Sequence, residues 1–532
     1  MGWRFKKRIK IFPGLYINIS KSGISANVGV KGGCVTLGQD GTYVNTGIPG
    51  TGLYSRDKVS QDSIAEKDLS ATSETIDTGA SEEKGRPVVE QKSFAKKGDA
   101  VLYAYYEAKE NGLPYNPKVE LVDYLYPPLN LFEMYEGESP LDMEEVFHAK
   151  YVLIDLLNDF GIQLEDLKVT VGPIFTFYEI TLASGCRVSK IRGLEDDIAL
   201  ALCSQNVHII APIPGKGTIG IEVPNIRRNI VSMKSIISSR SFMETEMELP
   251  IALGKTISNE VFMIDLAKIP HLLIAGATGQ GKSVTINAMI ASLLYKKHPA
   301  EMKLVLMDPC GLEFGTYSLI ENHFLVSFSD TQKIISNSSQ AVNALNILCK
   351  EMEKRYELLS MAKSHNIKDY NSSFVKFELN PTCGFKYLPY IVVVIDEYGN
   401  FIEEKGSDFE MPLARLAHFA GIVGIHLIIS TNRVTREIIT RTIKNSFPTR
   451  IAFRVPDQSF SEVILDCNGA EVLFGNGDML FRSGKDLDIV RVQGSYIGTY
   501  EIEAINSYIS KQKGYSQPFK LQDSYYEVDD YL

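Results

Sequence analysis

Apolar positions along this chain follow two spacings, and the places where the spacing changes mark its parts. Up to about residue 55, short runs alternate apolar with polar residues, among them Leu15–Ile19, Ile24–Val30 and Cys34–Leu37. Ser-Lys-Ser-Gly, Lys-Gly-Gly and Gln-Asp-Gly separate these runs, which predicts hairpins and a small antiparallel all-β module. From Arg56 to Asp99 the residues Ser, Glu, Lys, Asp and Thr dominate, and so polar a stretch reads as a flexible linker. Residues 100–140 hold Tyr-rich apolar stretches that read as ordered. Val146, Val152, Leu153, Leu156, Leu157 and Phe160 then share a helical spacing that ends at Gly161. Leu167–Val171, Phe175–Leu182, Val207–Ile210 and Gly220–Val223 read as strands and Ile198–Leu202 as helix, so this part is α+β.

Beyond Leu249 the runs become near-continuous. Leu272–Ala275, Lys303–Met307, Ile391–Ile395, His426–Ser430, Arg450–Arg454 and Met479–Phe481 are strand-sized, with helix-length segments between several of them. Such alternation predicts βαβ units in a mainly parallel, doubly wound sheet. The expected parts are therefore a basic β-rich module (1–56), a linker (57–99), an α+β platform (100–248), an α/β motor (249–515) and an acidic tail (516–532).

Composition narrows the setting. A chain of 532 residues is too long for one core. No apolar run approaches the roughly 18 residues that suggest a transmembrane helix, and no apolar segment follows the basic N-terminus as in a secretory signal. The seven cysteines are scattered, without a C-x-x-C pair, which fits a reducing cytoplasm rather than a disulfide or zinc framework. The eight histidines form no ligand-spaced cluster. Arg4, Lys6, Lys7, Arg8, Lys10, Lys21 and Lys31 all precede the first acidic residue, Asp40, and such a face suits nucleic acid, anionic lipid or protein contact alike.

The chemistry concentrates after the first motor strand. Gly276-Ala277-Thr278-Gly279-Gln280-Gly281-Lys282-Ser283 spells G-x-x-x-x-G-K-S, and Ile286, Met289, Ile290, Leu293 and Leu294 follow at helical spacing. Strand, glycine loop and helix form the context a phosphate-binding loop requires, against the bland reading of a structural glycine turn. Glycines let backbone N–H groups turn inward toward phosphate oxygens at a helix N-terminus. Lys282 would reach the β- and γ-phosphates of ATP, and the Ser283 hydroxyl would ligate Mg²⁺. A second apolar run, Tyr390–Ile395, ends in Asp396 and Glu397. Asp396 is placed to hold the metal and Glu397 to polarise the attacking water. A third strand ends in Thr431-Asn432-Arg433. Asn432 could sense the γ-phosphate or could be an ordinary polar strand end.

With these residues in place a resemblance stands out. Pro270 to Ile290, Glu351-Met-Glu-Lys-Arg-Tyr356, Gly424-Ile-His-Leu427, Pro448-Thr-Arg-Ile-Ala-Phe453 and Gly469 to Leu480 resemble the FtsK/SpoIIIE family of bacterial DNA translocases. Val171-Gly-Pro173, Ile213-Pro-Gly-Lys216 and Gly220 to Asn225 resemble the segment that precedes that family's motor, so the similarity spans roughly residues 125–515. The first 56 residues resemble a short bacterial domain of unknown function. The resemblance implies a RecA-like P-loop NTPase motor that hydrolyses ATP with Mg²⁺ and moves double-stranded DNA through a homo-oligomeric, hexameric ring. A ring needs positive charge only where DNA passes, so the net charge of −10 does not oppose it.

Departures from the family pattern fall where DNA would be touched. Cys310 follows Asp308-Pro309 where the family has Lys; Asn432 and Val434 stand where Thr-Gln-Arg-Pro is usual. Gln458 and Glu462 replace a Lys and an Arg associated with DNA in the pore, leaving Arg433 and Lys444 as candidate DNA contacts. Arg355, Arg433 and Arg450 all qualify by motif position as the arginine acting on a neighbouring subunit's nucleotide. The alternatives to a DNA pump are a nucleotide-gated scaffold that pumps weakly and a coupling ATPase of a conjugation or secretion apparatus.

Overall fold

The computed structural model describes the backbone of six strands between residues 6 and 58, and residues 97–521 apart from 136–142, 205–206, 214–215, 227–228, 329–332 and 485–488. The chain divides into two compact units, Met1–Gln91 and Lys92–Leu532. In the first, β1 (Lys6–Phe12), β2 (Leu15–Ser20), β3 (Gly23–Val30), β4 (Gly33–Gly38), β5 (Gly41–Gly47) and β6 (Tyr54–Lys58) pair with their chain neighbours as an antiparallel meander. The linker expected at 57–99 lies almost wholly outside the described residues.

The α+β part of the second unit is a small antiparallel sheet under helices. Strands β7 (Leu164–Val171), β8 (Phe175–Leu182), β9 (His208–Ile210) and β10 (Ile219–Pro224) run in the order β7-β8-β10-β9. The Met143–Asp159 helix ends before Gly161, whose φ of 67° is the left-handed value a helix stop favours. Its apolar face, Leu153 and Leu157, meets Tyr178, Ile180, Ile198 and Ile221 in a core of their own.

The motor is built on nine strands: β11 (Pro250–Thr256), β12 (Val261–Asp265), β13 (His271–Ala275), β14 (Met302–Met307), β16 (Tyr390–Ile395), β17 (Ile425–Thr431), β18 (Thr449–Phe453), β19 (Asp478–Arg482) and β20 (Ile489–Gly494). Their order is β12-β11-β20-β19-β18-β13-β17-β16-β14. Strands β18, β13, β17, β16 and β14 are parallel, and every residue of the last four is buried, as continuous apolar runs covered on both faces require. The other half, β18-β19-β20-β11-β12, is antiparallel. The expectation of a mainly parallel sheet is corrected accordingly: five parallel strands carry the site and an antiparallel extension of four flanks them. A small parallel pair, β15 (Val326–Ser327) and β21 (Phe519–Lys520), brings residues of the expected tail onto the motor.

The expected platform of 100–248 is also shorter than the spacing implied. Tyr105, Tyr115, Leu121, Tyr124 and Phe132 bury in the motor's core, as do Val231, Met233, Ile236, Phe242 and Leu249. Tyr105 stacks edge-on with Phe377 and donates its hydroxyl to the Leu379 carbonyl at 2.5 Å, and Phe132 stacks on Tyr295. The aromatic stretch is a strap over the motor, and the independent α+β core begins with the Met143–Asp159 helix.

Candidate active site

The phosphate loop sits where β13 meets the Lys282–Lys296 helix, and its backbone explains its glycines. Gly276, Gly279 and Gly281 have φ of 157°, 76° and 111°. A Cβ on Gly281 would fall 2.9 Å from the Gly477 Cα, so neither conformation nor space admits a side chain. The loop is clamped from the strand side: Ala277 N–H donates to the Arg454 carbonyl at 3.0 Å, and Gly477 N–H donates to the Gln280 carbonyl at 2.9 Å. The Lys282 ammonium folds over the loop and donates to the Gly276 and Ala277 carbonyls, both at 3.0 Å. Burial draws its pKa down, against the pull of Glu397, Asp396 and Glu313.

The carboxylates come from the neighbouring strand ends. Asp396, at the end of β16, is buried and accepts a short hydrogen bond from the Ser430 hydroxyl of β17. Burial raises its pKa, and that hydrogen bond opposes the rise. Glu397 has left-handed backbone angles, φ 43° and ψ 48°, a strained conformation for a non-glycine residue at a site of this kind. Its Oε2 accepts the Asn432 backbone N–H at 2.9 Å, and its own N–H donates to Ser430 Oγ at 3.2 Å. Burial pushes the Glu397 pKa up, with the Asn432 N–H pulling the other way. Asn432 therefore touches Glu397 through its main chain, a contact that residue type does not reveal.

One acidic residue at this site escaped the motif reading. Glu313, on the loop after β14, lines the same cavity as Ser283; burial raises its pKa, and the nearby Ser283 hydroxyl opposes the rise. Its signal was weak in the sequence because Cys310-Gly311-Leu312-Glu313 has no periodicity. The cavity of about 650 Å³ brings Thr278, Gly279, Gly281 to Ser283, Cys310, Glu313, Asp396, Glu397 and Asn432 together with Ile174, Ile230 and Tyr496. Among the described residues no group of three or more His, Cys, Asp or Glu side chains forms a metal cage. A hydroxyl beside carboxylates fits Mg²⁺ held largely by phosphate oxygens and water, which is how that ion is usually bound.

Residues 232–436 match the FtsK/SpoIIIE family, residues 126–225 the FtsK alpha domain, and residues 3–56 a protein of unknown function (DUF4236). A DNA translocase FtsK of Chlorobaculum tepidum is 42% identical over 396 residues, covering 74% of this chain and 48% of that protein. A DNA translocase FtsK of Helicobacter pylori is 39% identical over 422 residues, 79% of this chain and 48% of the relative. The motor region of this chain belongs to the FtsK/SpoIIIE family. It spans about half the length of the curated relatives it matches. Among solved structures, the pCW3 conjugation coupling protein TcpA with ATPγS is similar over 68% of this chain and 98% of that one, at 25% identity and a TM-score of 0.47. No helix among the described residues is long and apolar enough to cross a membrane.

Within this family frame, the candidate DNA contacts are differently placed. Arg433 is exposed but ion-paired with Glu403. Lys444 lies 2.5 Å from Asp466, which also binds Arg450 at 2.5 Å and Arg482 at 2.9 Å, and Lys444 and Arg450 hold the Asp466 pKa at about 2 against burial. Gln458 and Glu462 are exposed on the Gln458–Leu465 helix that leads into this cluster. Of the three arginines that qualify by motif position, two are structural. Arg355 is 1% exposed and bound to Glu351 and to the Pro389 and Val423 carbonyls. Arg450 is buried on the Phe447, Ile464 and Lys444 carbonyls and on Asp466. Of the three, Arg433 alone is accessible to a neighbour.

Proposed function

We propose that this chain is an ATP-dependent double-stranded DNA translocase motor that works as a ring of identical subunits, a hexamer by family likeness. The convergence of Lys282, Asp396 and Glu397 on one cavity carries the hydrolytic half of this reading. Membership of the FtsK/SpoIIIE family, with relatives named DNA translocase, supports the DNA half.

In this reading the backbone N–H groups of Gly276 to Ser283 cradle the phosphates, and Lys282 leaves the Gly276 and Ala277 carbonyls to meet the β- and γ-oxygens. Ser283 and Asp396 hold Mg²⁺, which when bound neutralises developing charge on the phosphates. Glu397 orients and deprotonates the attacking water, and burial, by raising its pKa, makes it a better base. Asn432 N–H fixes the Glu397 carboxylate in place. Movement of the β17 end that carries both Ser430 and Asn432 therefore shifts the base and the Asp396 contact together, a direct route from γ-phosphate loss to the rest of the motor.

A second reading, a nucleotide-gated scaffold that pumps weakly, is favoured by the ion pairs that engage Arg433 and Lys444 and by the exposed Gln458 and Glu462. ATP turnover with and without duplex DNA separates the two. The motor reading expects duplex to stimulate turnover and Glu397→Gln to abolish it. Turnover indifferent to duplex supports the scaffold, and turnover indifferent to Glu397→Gln overturns the assigned base.

A further inference from the structure

We infer that the nucleobase of the bound nucleotide is held on a wall formed by Ile174 of the α+β part together with Ile230 and Tyr496, so that the ligand bridges the two sheets. This rests on the nucleotide reading above and adds to it a base subsite in which the second sheet has a share. Strand order fixes which end of the cavity the base takes. On one side of β13, which carries the phosphate loop, lie β17 and then β16 with Asp396 and Glu397; on the other lie β18, β19 and β20. The catalytic carboxylates belong at the γ-phosphate, so the base lies toward β20. The end of β20 passes close to the phosphate-loop helix, since a Cβ on Gly494 would come 3.3 Å from Thr285 Oγ1. Tyr496 follows two residues later, and its N–H donates to the Val231 carbonyl at 2.7 Å. Asn229 N–H donates to the Pro173 carbonyl at 3.0 Å. These bonds bring Ile230 and Ile174 to the Tyr496 end of the one cavity that all three line with the phosphate loop.

The wall suits a flat group with apolar faces. Ile230 and Tyr496 are large apolar side chains left 38% and 41% exposed, and an aromatic ring holds a base by its face whatever the base. Tyr135 packs on the Tyr496 ring at 5.2 Å and 86°, which sets the plane of that ring. Ile174 is different. It is buried, in a small core with Phe175 of β8 and Phe474 of the motor. Its turn is tied to the segment that leads into the motor: Asn225 N–H donates to the Ile174 carbonyl at 2.9 Å, and Asn225 Nδ2 donates to the Gly172 carbonyl at 3.0 Å. A base set against Ile174 therefore loads the β7–β8 turn of the α+β sheet while its phosphates load the motor. Phosphates alone reach only the motor.

The test uses the full-length chain, with ADP as the ligand and pyrophosphate as the same phosphates without a base, both in Mg²⁺. Calorimetric titration should show Tyr496→Ala weakening ADP by about tenfold, and Ile230→Ala and Ile174→Ala each by about three- to tenfold. Pyrophosphate affinity should stay within about twofold of the wild type in every variant, because the phosphate loop is untouched. Hydrogen exchange reads the bridge itself. ADP should slow exchange of the Asn225 and Asn229 amides about threefold or more beyond any effect of pyrophosphate, and Ile174→Ala should remove that gain. Ile230 lies at the rim, so Ile230→Ala carries the test should Ile174→Ala fail to fold. Unchanged ADP affinity in the variants, equal losses for ADP and pyrophosphate, or amides slowed alike by both ligands overturn the proposal. A wild type that binds pyrophosphate as tightly as ADP overturns the base subsite alone, and one that binds neither overturns the nucleotide reading with it.

Discussion

Replacing Arg491 should destabilise the motor by stranding two buried carboxylates at once. Arg491 lies on β20, with its guanidinium 4.4 Å from the Phe175 ring and 4.9 Å from the Phe474 ring. It binds Asp478 at 2.7 Å and forms a shorter contact with Glu222, carboxylates that are 1% and 2% exposed. Glu222 belongs to β10 of the α+β sheet and Asp478 to β19 of the motor, so this one side chain fastens the two sheets together. Asp478 also accepts the Phe474 N–H at 2.8 Å, which sets the turn whose Gly477 clamps the phosphate loop. In Arg491→Met the stem still packs between the rings, but two buried carboxylates lose their counter-charge. Breaking one buried pair this way costs about 3–5 kcal/mol, and with two acids stranded the upper end applies. At roughly 2.1 cal/mol/K of unfolding entropy per residue, the Lys92–Leu532 unit should melt about 5 °C lower. Circular dichroism of the full chain reads the shift. Adding Glu222→Gln and Asp478→Asn should recover most of it, since neutralising the whole cluster removes the stranded charges. Arg240→Met is the control, because its ion pair with Glu244 is 86% and 62% exposed and contributes at most about 0.5 kcal/mol. A shift under about 1 °C for Arg491→Met, or a triple variant no better than the single, refutes the reasoning.

Three further outcomes follow from the same structure. Gly281→Ala should cost roughly 1–3 kcal/mol from strain at φ 111° and lose mant-ADP binding; a variant that melts and binds as the wild type contradicts the clamp. His271 and His426 are buried neutral, with pKa values lowered by burial to about 3 and about 4. Their stabilisation is whole above the unfolded value of about 6.5 and is lost as pH falls below it, because the unfolded chain takes up protons first. Each should cost about 1.4 kcal/mol between pH 7.5 and pH 5.5, read as a falling melting temperature, and an unchanged one counts against the assignment. Changing Gln458 and Glu462 together to Lys should raise duplex affinity and steepen its salt dependence by about 1.8, or 0.9 per added phosphate contact; fluorescence anisotropy against KCl measures it, and an unaltered slope removes these positions from the DNA path.

Much of the motor was legible because its residues obey one rule at a time. Each of the six apolar runs proposed as strands lies on an observed one, since a strand buried on both faces must be apolar throughout. Strands β11, β12 and β20 went unseen: half-covered antiparallel strands mix Lys255, Thr256, Arg491 and Gln493 with apolar residues, and period-2 alternation over so short a run is weak. The aromatic strap was read as part of the platform because spacing along the chain says nothing of which core an aromatic ring enters. Arg355, Arg450 and Lys444 looked like functional cations for a related reason. Their partners, Glu351, Asp466 and several carbonyls, are fixed by tertiary geometry. Glu313 was missed because a loop folded by one buried aspartate carries no periodic signature.

The central claim is that ATP hydrolysis at the Lys282, Asp396 and Glu397 site moves this protein along duplex DNA. Displacement of a third strand from a triplex, followed in real time on the full-length chain at low salt, tests it most directly. The account expects displacement with ATP and Mg²⁺, and none with ATPγS or with Glu397→Gln. Steady ATP turnover on duplex that leaves the third strand in place would contradict it.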